Sequence, residues 1–182
     1  MRFKFELGRA QFAAKNYIEA NQLFEAAIKG GSIDAMGALG ISYFLGRGIP
    51  QNYQRAFELF TKGADLNDPG SMVSLGAMYA DGRFVQKDPA KSQTLYSKAI
   101  TLGDYAALRN LGILYLNGAG LPRNYAMARD YFEQAAGHGH GHGHGDAMAM
   151  KLLSDIYKNG WGVTKDMRQS REWSQKADSA NH

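Results

Sequence analysis

Apolar and small residues recur along the chain with a period of 36. Leu39-Gly40, Leu75-Gly76 and Leu111-Gly112 keep that interval, as do Phe24, Phe60, Tyr96 and Phe132. Leu23, Leu59, Leu95 and Tyr131 keep the same beat, and Ala20, Ala56, Ser92 and Ala128 hold a small residue at one position. Within a period the spacing is helical. Ala106, Leu108, Leu111, Leu114 and Tyr115 fall on one face before Gly118 and Gly120 break the pattern. A second run comes at Tyr125, Ala128, Tyr131-Phe132 and Ala135-Ala136, and stops at Gly137. Each period therefore predicts two helices, and the chain predicts ten in five pairs. A unit of this length cannot bury its apolar face alone, so its copies stack as an all-α solenoid.

The units fall at 1–32, 33–68, 69–104, 105–136 and 146–182, with an insertion at 137–145. Two more units share the outline: Leu39-Gly40-Ile41-Ser42-Tyr43 leads to Gly46-Arg47-Gly48-Ile49, and Ala77-Met78-Tyr79 leads to Gly82-Arg83-Phe84-Val85. The pattern Leu-Gly-x-x-Tyr-x-x-Gly-x-Gly-hydrophobic, then Ala, an aromatic and Ala before a Gly, resembles the Sel1-like repeat, a relative of the tetratricopeptide repeat. That resemblance implies right-handed superhelices of antiparallel helix pairs. It also implies adaptor or scaffold roles, and some relatives act as immunity proteins that cap an effector. Hydrolase activity has been proposed for cysteine-rich relatives. Many relatives pin their helices with cysteine pairs. This chain has no cysteine, so packing must hold it, at roughly 1.5–3 kcal/mol for each fully buried large side chain.

The terminal units depart from the pattern. Leu7-Gly8 stands ten residues before Tyr17, against fourteen from Leu39 to Tyr53, and the first unit lacks the Gly-x-Gly loop, as suits a tetratricopeptide-like cap. The last unit keeps Tyr157, Gly160-Trp161-Gly162-Val163 and Ala177, but Ser154 replaces the Gly of Leu-Gly and Trp173 takes the place of Tyr131.

Between the last two units the period jumps to 42, and His138, His140, His142 and His144 alternate with glycine there. Removing three His-Gly pairs restores the beat, so the run is an insertion at a helix connection. Imidazoles can capture Zn, Ni or Cu. Two rings on one side of an extended segment stand roughly 6–7 Å apart, so the chain must bend to share an ion. Slippage expansion or an engineered tag is the simpler and favoured explanation of the run over metal capture, and no resident cofactor is expected. A glycine-rich connection also allows the last pair to dock on a second molecule, so both a monomer and a domain-swapped dimer are open.

Composition narrows the function classes. The 21 Lys and Arg against 17 Asp and Glu give a net charge of +4, but the cations are scattered and form no stripe for phosphates. Arg2, Lys4, Glu6, Arg9 and Lys15 interrupt any apolar leader, and no run of 18 apolar residues exists. No signal peptide and no membrane span are read, and a cytoplasmic location is the default expectation. The glycine loops come after helices and lack a Walker lysine, so they are turns and not phosphate cradles. The only histidine outside the run is His182, which is not preorganised for a triad, and acids such as Asp65 and Asp68 suit helix ends. The chain is read as a non-catalytic binding protein.

In tetratricopeptide-like superhelices the first helix of each pair lines the concave face. Counting from the repeated Leu places Arg9, Phe12, Ile41, Phe44, Asp81, Arg109, Ile113, Asn117, Lys151, Asp155 and Lys158 there. Aromatic and aliphatic side chains fill the N-terminal half, and charges and amides the C-terminal half. A protein or peptide with an apolar anchor and a polar or acidic end suits that gradient. The competing reading makes Phe44, Ile113 and their aliphatic neighbours inter-unit core.

Overall fold

The computed structural model describes residues 2–118, 120–138 and 145–180. Among these residues the chain is all α, ten helices in a paired arrangement and no strand. They are α1 (Arg2–Ala13), α2 (Tyr17–Lys29), α3 (Asp34–Leu45), α4 (Tyr53–Asp65), α5 (Pro69–Asp81), α6 (Pro89–Thr101), α7 (Ala106–Asn117), α8 (Tyr125–Gly137), α9 (Ala147–Asn159) and α10 (Met167–Ser179). The chain forms two compact units, residues 1–88 with α1 to α5 and residues 89–182 with α6 to α10.

Short-range chemistry sets the helix ends. The side chains of Asn52, Asp68, Asn124 and Asp146 each accept a hydrogen bond from the backbone N–H three residues on, which satisfies a donor the helix cannot. At the other end, the first glycine of the loop closes the first helix of a pair. Gly118 sits in the left-handed region at φ 62°, and its N–H returns to the Leu114 carbonyl. In the third pair the loop's last glycine is replaced by Phe84, held at φ 68° with its ring half out of the surface.

In the N-terminal unit the core gathers Ala20, Phe24, Ala27, Ala35 and Leu39, with Phe5, Phe12 and Tyr43 packed against it. In the C-terminal unit it gathers Leu108, Tyr115, Ala128, Phe132, Ala135, Ala149, Leu153 and Ile156, flanked by Ile113, Leu116, Tyr131 and Trp161. The glycines of three Leu-Gly pairs, Gly8, Gly40 and Gly112, have a packing reason. A Cβ on Gly40 would lie 2.5 Å from the Phe60 ring, and one on Gly8 would lie 2.7 Å from Phe24. Gly112 is overlaid by Phe132 in the same way. The aromatic of the second helix thus rests on bare backbone of the first, which draws the two axes together.

Candidate interaction surfaces

In the N-terminal unit, α1 and α3 leave a cavity of about 180 Å³ lined by Arg9, Phe12, Ala13, Phe24, Ala38 and Ile41. Its walls are almost entirely carbon, with Arg9 as the polar rim. Arg9 reaches Glu6 at 3.5 Å, both side chains well exposed, and its guanidinium lies 5.9 Å from the Phe5 ring centroid. Phe12 is fixed from two sides: it meets Tyr17 edge-on at 5.0 Å, and Arg47 stands 5.3 Å over its ring. Three of the residues expected on this face, Arg9, Phe12 and Ile41, come together in one hollow.

Phe44 has a different setting. It meets Tyr53 edge-on at 5.2 Å and is covered by Arg83 at 5.4 Å, while Arg83 also pairs with Asp81 at 3.4 Å. The arrangement copies that around Phe12: a loop arginine from the next pair sits over the ring of an edge-on Phe–Tyr couple. Phe44 is thereby sheathed, and Asp81 holds the sheathing arginine.

In the C-terminal unit Arg109 is not an open cation. Its Nη1 donates to Asp146 Oδ2 at 2.6 Å, and the Asp146 side chain is only 4% exposed. Asp146 also caps α9 by accepting from the Ala149 N–H at 2.9 Å. Ile113 packs against the core. Asn117 is exposed, and its carbonyl accepts from Arg123 at 3.5 Å. Lys151, Asp155 and Lys158 stand exposed along α9 and, with Ser154, Ser170, Arg171 and Ser174, line a shallow polar groove of about 530 Å³. Ser154 donates to the Ser170 carbonyl at 2.8 Å. Ser174 occupies the place that Phe132 has in the preceding pair, so serine hydroxyls replace the glycine–aromatic contact.

Two features were not anticipated. Tyr125 and Trp161 stack at 6.2 Å, and Arg123 donates to the Tyr125 hydroxyl at 3.3 Å beside a hollow that includes Leu116 and Asn117. The tryptophan inside the last glycine loop was its sequence signal. Burial, and then the neighbouring Tyr115, raises the pKa of the Tyr131 phenol, which marks packing and not chemistry.

His138 stacks on Tyr105 with ring centroids 4.0 Å apart. His140, His142 and His144 lie outside the described residues. Among the described residues no group of three or more His, Cys, Asp or Glu side chains is placed to hold a metal ion, and no helix is long and apolar enough to cross a membrane.

A model of the Sel1 repeat matches residues 6–32, 33–68, 69–104, 106–140 and 147–182. A Sel1 repeat protein from Oxalobacter formigenes is 28% identical with a TM-score of 0.79, over 98% of this chain and 70% of its own. The protein c5321, a protective antigen present in uropathogenic Escherichia coli strains with an SLR fold, is 26% identical with a TM-score of 0.74. That match spans 98% of this chain and 38% of c5321. The immunity protein Pa5087 from Pseudomonas aeruginosa shares the fold at 23% identity and a TM-score of 0.66, over 96% of this chain and 66% of its own. No curated protein matches. With repeat matches along nearly its whole length, the chain belongs to the Sel1 repeat family.

Proposed function

We propose that this chain is a non-catalytic scaffold that holds a protein or peptide segment on the first-helix face of its N-terminal unit. Sel1 repeat proteins generally mediate protein–protein interactions. The observation that carries the reading is the carbon-lined cavity of Arg9, Phe12, Ala13, Ala38 and Ile41, open on that face and rimmed by one guanidinium. A cavity of this kind takes a single aliphatic or aromatic anchor, and Arg9 takes a carboxylate beside it. The partner is thus an apolar-anchored segment with an acidic neighbour. Lys151, Asp155 and Lys158 form a separate polar contact surface on α9.

Panning a displayed peptide library against the full chain tests this. Enriched peptides should carry a large apolar residue next to Asp or Glu. Ile41→Glu should remove their binding and Arg9→Glu should weaken it, with helical circular dichroism unchanged. Peptides that bind Ile41→Glu as well as the original chain would overturn the assignment. Arg109→Glu is unsuitable as a binding probe, because it would break the pair with Asp146. An immunity role, as named for Pa5087, would place an effector surface on the same face and respond to the same substitutions.

A further inference from the structure

Among the described residues, α1 carries an apolar stripe that stands exposed. Phe3, Leu7 and Ala10 lie at i, i+4 and i+7 of α1, on one face. Their counterparts in later first helices are Ala35, Leu39 and Ser42 in α3, Ser71, Leu75 and Met78 in α5, Ala107, Leu111 and Leu114 in α7, and Ala149, Leu153 and Ile156 in α9. All twelve are at most 6% exposed. Phe3 is 76% exposed and Leu7 37%. The residue types diverge as well. Where the others have Ala or Ser, so that a neighbouring helix can approach, α1 projects a phenyl ring. A face meant for solvent would be polar, as on α10, where Ser174 stands in place of the aromatic beside Arg171, Lys176 and Asp178.

We infer that this stripe binds the same stripe of a second copy of the chain, with the two α1 helices antiparallel about a two-fold axis. The large residues, Phe3 and Leu7, occupy the first half of the stripe and the small ones, Ala10 and the exposed Ala14 just beyond it, the second half. Antiparallel pairing sets each large side chain against a small one of the partner. It also lays Arg2 and Lys4 of one helix beside the carbonyl end of the other, where the helix dipole favours cations; Lys15, just past that end, reduces the gain. Parallel pairing would set the cations against each other and Phe3 on Phe3. A head-to-tail copy would press Phe3 and Leu7 against Lys151 and Arg171, whose charges an apolar stripe would desolvate. Two helices of three turns cover less than a standard interface of about 1,600 Å², so the dimer is weak and concentration-dependent.

Sedimentation velocity of the full chain, from low micromolar to several hundred micromolar, tests this. The original chain should shift from monomer to dimer. Phe3→Glu/Leu7→Glu, and separately Ala10→Arg at an exposed position, should raise the dissociation constant more than about tenfold, with circular dichroism unchanged. The chain has no native cysteine, so Leu7→Cys should cross-link to itself under mild oxidation, while Ile18→Cys, 66% exposed on α2, should not. A monomer throughout the range, or a dimer that persists in Phe3→Glu/Leu7→Glu, overturns the inference; the latter would place the contact elsewhere, as a swapped last pair requires.

Discussion

Arg109 reaches from the first turn of α7 to Asp146, 37 residues later, and donates to its buried carboxylate at 2.6 Å. Asp146 stands immediately after the histidine-glycine insertion and caps α9. One contact therefore fixes where the chain re-enters the helical stack after the insertion. Arg109→Ala should cost about 2 kcal/mol, the scale of a hydrogen bond to a charged group, because Asp146 would remain buried with one partner fewer. Asp146→Ala should cost a similar amount through the lost cap. Urea unfolding of the two single variants and the double variant measures the coupling. Additive losses would mean that the two residues do not act as a pair.

The glycine–aromatic contact of the fourth pair gives a second prediction. Gly112→Ala would drive a methyl group into the Phe132 ring, which cannot retreat because it is fully buried. A loss of about 1–3 kcal/mol is expected, the range for overpacking a dense core. Gly137 ends α8 with nothing within 4 Å of its missing Cβ, so Gly137→Ala should be neutral or stabilise by up to about 1 kcal/mol. Thermal unfolding of both variants should move the midpoint in these different senses. Equal shifts would mean that contact with Phe132 does not set the cost.

The period of 36 and its Leu-Gly, aromatic and alanine positions carried the fold, because each marks a place where two helices touch. Which polar side chains remain open was not legible in the same way. Arg109 and Lys151 occupy equivalent positions in successive first helices, yet Arg109 is paired and Lys151 is exposed. The difference lies in the chain beyond each helix: α7 has Asp146 within reach, a relation set by packing of the chain on either side of the insertion. Phe44 likewise had the spacing of an open groove residue, and only the path of the Gly82-Arg83-Phe84 loop shows that a guanidinium covers it. Repeat arithmetic assigns a residue to a helix face, while the neighbouring loop decides whether that face is bare.

The arginine that covers Phe12 yields a third prediction. Arg47 lies 5.3 Å from the Phe12 centroid and 5.5 Å from that of Tyr17, so one cation serves two rings. Arg47→Ala should destabilise the N-terminal unit by about 0.5–1 kcal/mol, and Arg47→Lys by less. The Asn21 side-chain bond to the residue 47 carbonyl does not depend on the side chain and should persist in both. Tyrosine fluorescence during urea unfolding would report the change, and an unaltered Arg47→Ala profile would mean that the ring contact is too exposed to count.

The last prediction concerns acid. Asp166 caps α10, accepting from the backbone N–H groups of Arg168 at 2.9 Å and Gln169 at 3.0 Å. The bond from the Gln169 N–H is the main reason its carboxyl titrates below the usual value; desolvation opposes it, and the Arg168 N–H, the Gln169 side chain and the Arg168 charge lower it further. A carboxyl whose folded pKa is depressed binds protons more readily in the unfolded chain. Its contribution is therefore complete above the ordinary aspartate range and is lost as pH falls through the lowered folded value. Exchange of the Arg168 and Gln169 amides should accelerate relative to the rest of α10 as pH falls through that window, once the intrinsic pH dependence of exchange is removed. Asp166→Asn keeps an acceptor at the cap but has no proton to gain, so it should flatten that acid limb while leaving neutral-pH protection nearly intact. If the limb persists unchanged in Asp166→Asn, a group other than the α10 cap governs the acid response of the last helix pair.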